Sequence, residues 1–318
     1  MASIYDGNGN VIEISGGTGT SDFGVTNYDL FTDNDGDSAR KATLTYQGKK
    51  LYPENYPEQR LDKIKKYNGG IMLTLGDSYT AFMTNYFSTF AEKHELVQDN
   101  RGLASSTIAG SEDKLTVGYH AFWVRLNEAI AEYEAEGGHT IGDKSYTLED
   151  VKLITFMGGA NDWSTVNSEV NRLGSGANET NKETLYGACN YIFATLLEKF
   201  PNADIVVILQ PVNYAQTIPT TEEAAKNVGF DSLAQVQEMT DAQYSSYMMM
   251  RKEKIVREVA ERYGLPMCDC CFDWYNPIRH NEAEKYWDKD KLHLNATGHQ
   301  AIIDKLEHTV NNLSFSRN

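Results

Sequence analysis

Ile71-Met-Leu-Thr-Leu75, followed directly by Gly76-Asp77-Ser78, is the stretch that decides how this chain folds. A short, mostly apolar run that ends at a glycine is typical of a strand buried in a parallel sheet. Gly76 allows a tight turn, and the residues from 79 to about 93 predict a helix. Ser78 is therefore expected on a strand-to-helix turn, with its N–H near the positive end of the helix.

The alternation of strand and helix continues to residue 311. Apolar residues at helical spacing predict helices around 115–130, 185–196, 240–263 and 296–311. Further strands are predicted at Leu96–Val97, Val151–Phe156, Asp204–Leu209 and Leu265–Cys268. Five strands that alternate with helices imply a three-layer α/β/α domain with a central five-stranded parallel sheet. Such sheets bind ligands beyond the carboxyl ends of their strands, so catalytic residues are expected there.

Residues 1–66 differ from the 67–318 domain, because they are rich in Gly, Asp, Asn and Thr. We expect a small extension of strands and loops, with attachment as a candidate role. Asp6-Gly-Asn-Gly-Asn10 favours a hairpin turn. Asp33-Asn-Asp-Gly-Asp37 is similar to a calcium loop, but its glycine is displaced from the EF-hand position and no closing Glu follows. A solvated turn is favoured there, with calcium as the alternative.

Composition limits the classes of partner. The chain has 318 residues and a formal net charge of −16, which repels nucleic acid and anionic membrane surfaces. No apolar run approaches the roughly 20 residues that span a bilayer, and the first residues lack the features of a signal peptide. This favours a cytoplasmic location, unless a leader was removed or the protein belongs to a virion or cell surface.

The four cysteines are Cys189, Cys268, Cys270 and Cys271. They are too few and too clustered for a disulfide framework. The last three could suggest a metal site, but no second ligand pair stands at a familiar spacing. Buried thiols at the end of a strand are therefore favoured.

Asp290-Lys-Leu-His293 is the pair that best suits Ser78, because a serine hydroxyl needs an adjacent base that is itself oriented by a third group. Three-residue spacing on a turn lets the carboxylate fix the tautomer of the imidazole. His293 also lies on a short connection before the last helix, where catalytic groups are common. Each fragment has a plainer interpretation: Asp77 or Ser78 as a helix cap, and Asp290 with His293 as a surface turn.

Acyl transfer also needs donors directed at the oxyanion. Gly158-Gly-Ala-Asn161-Asp162 follows the third predicted strand, and Asn100-Arg-Gly-Leu-Ala-Ser-Ser-Thr107 follows the second. The first stretch can project the Asn161 amide into the crevice, and the second offers backbone N–H groups. A simple Gly/Asn turn is the alternative for the first.

Together, GDS at 76–78, NRGLASST at 100–107, GGAND at 158–162 and DKLH at 290–293 resemble the four ordered blocks of the SGNH/GDSL hydrolase (esterase) superfamily. The resemblance covers the α/β domain and leaves residues 1–66 outside. It implies a flavodoxin-like SGNH fold and a serine esterase that needs no cofactor and no metal. It also implies that Ser78 is the nucleophile, His293 the base and Asp290 its orienting partner.

By the same resemblance, the oxyanion hole consists of the Ser78 N–H, the Ser105 N–H and the Asn161 side chain. One position departs from the family, whose second block usually has glycine where this chain has Ser105. A backbone N–H remains there, so the role survives if Ser105 tolerates the local conformation. Gly102 is the fallback donor.

The substrate is expected to be an acylated small molecule or an acetylated glycan. Trp163 follows the Asn161 block and Trp287 precedes Asp290, so both are candidates for substrate binding, with aromatic packing as the alternative. A mean hydropathy of −0.50 and the lack of a long apolar lid favour a carbohydrate acetylesterase over a lipase. Residues 164–183 and 213–240 form either walls or a lid over the site, or plain surface loops.

Two other functions remain open. One is a non-catalytic glycan-binding or structural protein of a virion or cell surface with a vestigial hydrolase site. The polar extension at 1–66 motivates it, whereas the complete set of Ser78, Asn161, Asp290 and His293 argues against it. The other is a thioesterase or arylesterase that uses the same residues on small soluble acyl compounds.

Overall fold

The computed structural model describes residues 67, 69–111, 120–162, 173–176, 178–215, 218–227, 230–272 and 283–313, together with the backbone of five strands between residues 4 and 50. Contacts divide the chain into two compact units, Met1–Lys65 and Lys66–Asn318.

The first unit contains short antiparallel sheets. The strands β1 (Ile4–Tyr5) and β2 (Val11–Ile12) pair with each other in antiparallel orientation. Residues 6–10, where a hairpin turn was predicted, lie outside the described residues. The strands β3 (Phe23–Thr32), β4 (Ser38–Tyr46) and β5 (Lys49–Lys50) form a three-stranded antiparallel sheet. Residues 33–37, the suggested calcium loop, lie outside the described residues.

The second unit is built on a five-stranded parallel sheet, as predicted. The remaining strands of the chain are β6 (Ile71–Gly76), β7 (Val97–Gly102), β8 (His139–Ile141), β9 (Lys144–Tyr146), β10 (Val151–Met157), β11 (Asp204–Leu209) and β12 (Met267–Asp269). The order in the sheet is β12-β11-β10-β6-β7, with every neighbouring pair parallel. Because β7 and β10 lie on opposite sides of β6, the strand order reverses there, and a crevice is expected at the carboxyl end of β6.

Helices cover both faces of this sheet, which confirms the three-layer α/β/α architecture. The described helices are α1 (Ser78–Phe82), α2 (Thr84–Lys93), α3 (Phe122–Glu134), α4 (Leu185–Lys199), α5 (Glu222–Asn227), α6 (Leu233–Gln237), α7 (Asp241–Arg262), α8 (Ala283–Tyr286) and α9 (Ala296–Leu313). One buried cluster joins a sheet face to α3, α4 and α7. A second cluster joins the opposite face to α2 and α9.

Several local predictions differ from the structure. The helix predicted after Ser78 is interrupted at Met83 and becomes α1 and α2. The strand predicted at residues 96–97 runs instead from 97 to 102, because an edge strand tolerates the polar residues that follow Val97. The hairpin β8–β9 was not predicted, although Gly142, with φ of +63°, provides its turn.

The two segments proposed as walls or a lid, residues 164–183 and 213–240, are described to different extents. Residues 213–240 contain α5 and α6, whose apolar side chains pack with Tyr244 and Met248 of α7 in a small separate cluster. Much of 164–183 lies outside the described residues. A lid role for either segment therefore stays a prediction.

The four cysteines are buried and none of them forms a disulfide, as expected of structural thiols. Within the described ranges, no helix is both long and apolar enough to cross a membrane. The same ranges contain no group of three or more His, Cys, Asp or Glu side chains arranged to hold a metal ion.

Candidate active site

Ser78 is the first residue of α1 and lies directly beyond the carboxyl end of β6. Asp77 caps this helix, because its Oδ1 accepts a hydrogen bond of 2.9 Å from the Tyr79 N–H. Gly76 is required before the turn, since a Cβ there would lie 1.9 Å from Thr80 Oγ1. The sequence therefore folds so that the serine hydroxyl is presented at the start of a helix, with only 6% of the residue exposed.

The structure brings Ser78, His293 and Asp290 together. Ser78 Oγ lies 3.1 Å from His293 Nε2, and His293 Nδ1 lies 2.6 Å from Asp290 Oδ2. The other oxygen of Asp290 accepts hydrogen bonds of 2.9 Å from the N–H groups of Leu292 and His293. The imidazole is thus held by one nitrogen while the other faces the serine. This arrangement can move a proton from the hydroxyl to the ring.

Asp290 is suited to remain ionised. Burial opposes its negative charge, but hydrogen bonds from the His293 N–H, the His293 ring and the Leu292 N–H outweigh that cost. Its pKa is therefore lowered from the usual value. An ionised carboxylate fixes the tautomer with the proton on Nδ1, which leaves Nε2 free to accept.

Trp287 supports the turn that carries His293, which corrects the expectation that it binds substrate. Only 3% of the residue is exposed, and its ring packs edge-on against Tyr79 and Tyr214. Tyr79 in turn donates a hydrogen bond of 2.5 Å to the carbonyl oxygen of Leu292. A buried indole cannot stack on a ligand, so Trp287 belongs to the core below the site. Trp163, the other candidate, lies outside the described residues.

Asn161 follows β10 and points towards the loop after β7. Its Nδ2 donates a hydrogen bond of 2.9 Å to the carbonyl oxygen of Ser106. This bond uses one of the two amide N–H bonds and orients the other. The neighbouring Asp162 joins the same two loops, because its carboxylate accepts from the N–H groups of Ile108 at 3.1 Å and Ala109 at 3.0 Å.

Ser105 and Gly102 have distinct positions in the second loop. Ser105 has φ of +65°, the left-handed region that glycine favours, which explains why the family places glycine there. The Gly102 N–H already donates to Asn100 Oδ1 at 2.7 Å, which corrects its suggested role as fallback donor. A Cβ on Gly102 would lie 2.4 Å from the backbone nitrogen of Ala81, so this glycine allows β7 to approach α1.

Sequence reasoning missed a buried polar network below the serine. Gln210 donates from Nε2 to Asp77 Oδ2 at 2.9 Å, and its N–H donates to Glu253 Oε2 at 3.0 Å. Lys252 Nζ donates to the carbonyl oxygen of Ala160 at 3.2 Å. Burial raises the pKa of Asp77 to about 6, although the bond from Gln210 opposes the shift. The sequence contained one signal for this network. Lys252 and Glu253 stand one helical turn after Met248 and Met249, so they share the apolar face of α7.

Phe82 was also missed, and it lies beside the site. Its ring centroid is 4.8 Å from that of His293, and 53% of the residue is exposed. The signal was its position four residues after Ser78, because such residues share one face of a helix. The exposed ring can contact a substrate bound at the serine.

Comparison with known proteins agrees with this architecture. Residues 74–301 match the family model of the GDSL-like lipase/acylhydrolase family. A crystal structure of a protein from Lactobacillus plantarum is similar at 22% identity, over 76% of this chain and 97% of that protein, with a TM-score of 0.52, which supports the fold alone. The lipase/acylhydrolase from Enterococcus faecalis is a more distant likeness, at 14% identity over 76% and 96% of the two chains with a TM-score of 0.43.

No curated protein matches the chain. The family match nevertheless spans most of the second unit and includes Ser78, Asn161 and His293. The chain therefore belongs to the GDSL-like lipase/acylhydrolase family and is a carboxylic ester hydrolase.

Proposed function

We propose that the protein is a serine esterase in which Ser78 is the nucleophile, His293 the general base and Asp290 the residue that orients it. The observation that carries the proposal is the continuous hydrogen-bonded chain from Ser78 Oγ to His293 at 3.1 Å and on to Asp290 at 2.6 Å. Ser78 and His293 are 215 positions apart, so the fold itself assembles this chain.

In the first step, Ser78 Oγ attacks the ester carbonyl carbon while His293 Nε2 takes the hydroxyl proton. The carbonyl oxygen becomes an oxyanion, which accepts hydrogen bonds from the Ser78 N–H, the Ser105 N–H and the second N–H of the Asn161 amide. The tetrahedral intermediate then expels the alcohol, which receives the proton from His293. The product of this step is an acyl-Ser78 enzyme.

In the second step, His293 takes a proton from water, and the resulting hydroxide attacks the acyl carbon. Collapse of the second tetrahedral intermediate releases the carboxylic acid and returns the proton to Ser78 Oγ. Asp290 stays ionised throughout and stabilises the imidazolium that forms in each half of the cycle.

We assign the substrate to O-acetylated carbohydrates or other small acyl esters. Phe82 supports this assignment, because an exposed ring beside His293 offers an apolar face of the kind that packs on a sugar or another small alcohol. The low mean hydropathy of −0.50 also suits a soluble substrate. Rates that rose from acetyl towards decanoyl esters, with no release of acetate from acetylated xylan or pectin, would contradict it.

The test of the reaction is hydrolysis of p-nitrophenyl acetate by the wild type and by Ser78→Ala. Removal of the nucleophile is expected to lower kcat by about 10⁴-fold or more. Ser88→Ala is the matched control, because Ser88 is a half-buried residue of α2 whose hydroxyl lies 3.5 Å from the side chain of Glu92. Its kcat is expected to equal that of the wild type.

A wild type no faster than Ser78→Ala, with both proteins folded by circular dichroism, would contradict catalysis. That result would favour the non-catalytic glycan-binding or structural alternative. The intact hydrogen bonds among Ser78, His293 and Asp290 argue against it, because a vestigial site has no need to keep them.

A further inference from the structure

We propose that Lys252 is a positioning residue of the oxyanion hole, and that loss of its ammonium charge sets the alkaline limit of activity. The proposal rests on the esterase function above, because it concerns the same site. Lys252 does not touch the reacting atoms, and it acts through the loop that carries Asn161.

The geometry places the ammonium group directly behind this loop. Lys252 is completely buried in α7, and its Nζ donates to the carbonyl oxygen of Ala160 at 3.2 Å. Ala160 immediately precedes Asn161, whose amide donates to the carbonyl oxygen of Ser106 at 2.9 Å. One hydrogen bond thus fixes the backbone before Asn161, and another fixes its side chain.

The surroundings explain why a lysine is tolerated here, since a buried charge is costly without a compensating partner. Lys252 interacts electrostatically with the carboxyl groups of Asp162 and Asp77, which lie on the loops after β10 and β6, and with that of Glu253 on its own helix. Burial raises the pKa of Glu253 well above its usual value, which favours the neutral form of this group. Burial also raises the pKa of the Cys189 thiol and that of the Tyr79 phenol, two further titratable groups that interact with these carboxyls.

Lys252 therefore contributes a positive charge that attracts the carboxyl groups of Asp162 and Asp77 below the site. Burial lowers its pKa to about 8, against the attraction of the surrounding carboxyl groups. Above that pH the amine is neutral, and the positive charge beside the carboxyl groups of Asp162 and Asp77 is lost. The oxyanion forms beside this loop only in the transition state, so the loss of charge raises the barrier without weakening binding of the neutral ester. The expected signature is a fall in kcat with little change in KM.

The experiment measures kcat and KM for p-nitrophenyl acetate from about pH 6 to about pH 10, with the Ser78→Ala rate subtracted at each pH. For the wild type, kcat is expected to fall roughly tenfold in a one-proton step near pH 8. This size is the effect expected from the loss of one unit charge in a site with an effective dielectric constant of about 20. KM is expected to stay within about twofold.

Two variants separate charge from packing. Lys252→Met removes the charge but keeps much of the length, so kcat is expected to be low at every pH, with no alkaline step. Lys252→Arg keeps a positive charge over the whole range, so its kcat is expected to show no step. Lys152→Met is the matched control, because Lys152 Nζ also donates to a main-chain carbonyl, that of Glu149 at 2.7 Å, beside the amino end of β10. It should retain the wild-type step.

A wild-type kcat that stays flat to pH 10 would overturn the proposal, as would a step that persists in Lys252→Met or Lys252→Arg. If Lys252→Met does not fold, the comparison of the wild type with Lys252→Arg decides. A wild-type rate equal to that of Ser78→Ala at every pH would overturn the esterase function itself, which is a different outcome.

Discussion

Ser105 departs from the family at a position whose predicted role requires only the backbone. The predicted contribution to the oxyanion hole comes from its backbone N–H, which every residue except proline carries. The side chain matters only through the backbone, whose φ of +65° is strained for a residue with a Cβ. The departure is therefore expected to cost stability and to leave catalysis intact.

Ser105→Gly is expected to raise the free energy of unfolding by about 0.5 to 1 kcal/mol, because relief of strain exceeds the added entropy of the unfolded chain. Its kcat should stay within about twofold of the wild type. Urea unfolding and the p-nitrophenyl acetate assay measure the two quantities. Glu95→Gly is the control, since Glu95 has φ of +59° after α2, away from the serine. A tenfold loss of kcat in Ser105→Gly alone would show that the hydroxyl takes part.

Single residues were predictable where a short motif fixes the local geometry. Asp290 and His293 meet because three-residue spacing on a turn brings their side chains together. Trp287 was misassigned because nearness along the chain to Asp290 says nothing about which side of the turn its indole occupies. That side is decided by packing against Tyr79 and Tyr214, which come from distant parts of the sequence.

Among the elements, the contact between β7 and α1 determines where the serine is held. The carboxyl end of β7 approaches the backbone of α1 so closely that only a glycine fits at position 102. Ser78 begins α1, so a shift of this helix moves the nucleophile relative to His293. Apolar runs predicted the sheet, but this close approach depends on the pairing of β6 with β7 and was invisible in the sequence.

Gly102→Ala is expected to lower the free energy of unfolding by about 1 to 3 kcal/mol and to reduce kcat, because the added methyl would lie 2.4 Å from the Ala81 nitrogen. Thermal unfolding and the ester assay report the two effects. Gly110→Ala is the control, because the nearest atoms to its added methyl would be the Ala121 Cβ at 3.1 Å and Thr107 Oγ1 at 3.6 Å, so a smaller change is expected. Wild-type stability and activity in Gly102→Ala would contradict the close packing of strand on helix.

At the scale of the whole molecule, the strand–helix alternation predicted the layers and the edge of the sheet where the site lies. The alternation did not predict the strand order β12-β11-β10-β6-β7, which depends on how the strands pair in the folded sheet. The charged residues among the apolar positions of α7 indicated buried polar groups, but the partners of Lys252 and Glu253 could not be predicted, because they lie on loops that are far away in the sequence. The purpose of residues 1–66 likewise depends on a partner that composition does not name, and attachment remains a prediction.

A chain of residues 66–318 is expected to fold and to keep kcat/KM for p-nitrophenyl acetate within about twofold of the full chain, since domains with their own core fold alone. The compact unit Lys66–Asn318 contains the entire family match and all of Ser78, Asn161, Asp290 and His293. Circular dichroism and the ester assay are the measurements, with the full-length protein as the control. An insoluble product, or a tenfold loss of kcat/KM, would show that the extension is required by the hydrolase unit.

The separation of Ser78 from His293 by 215 positions has a consequence for biosynthesis. A chain emerging from the ribosome exposes its serine long before the imidazole has been translated. In the proposed mechanism the nascent hydroxyl therefore lacks its proton acceptor, and the unfinished polypeptide is expected to be inactive towards esters. Activity is expected to begin only after the segment that carries His293 has been synthesised and has docked beside Ser78.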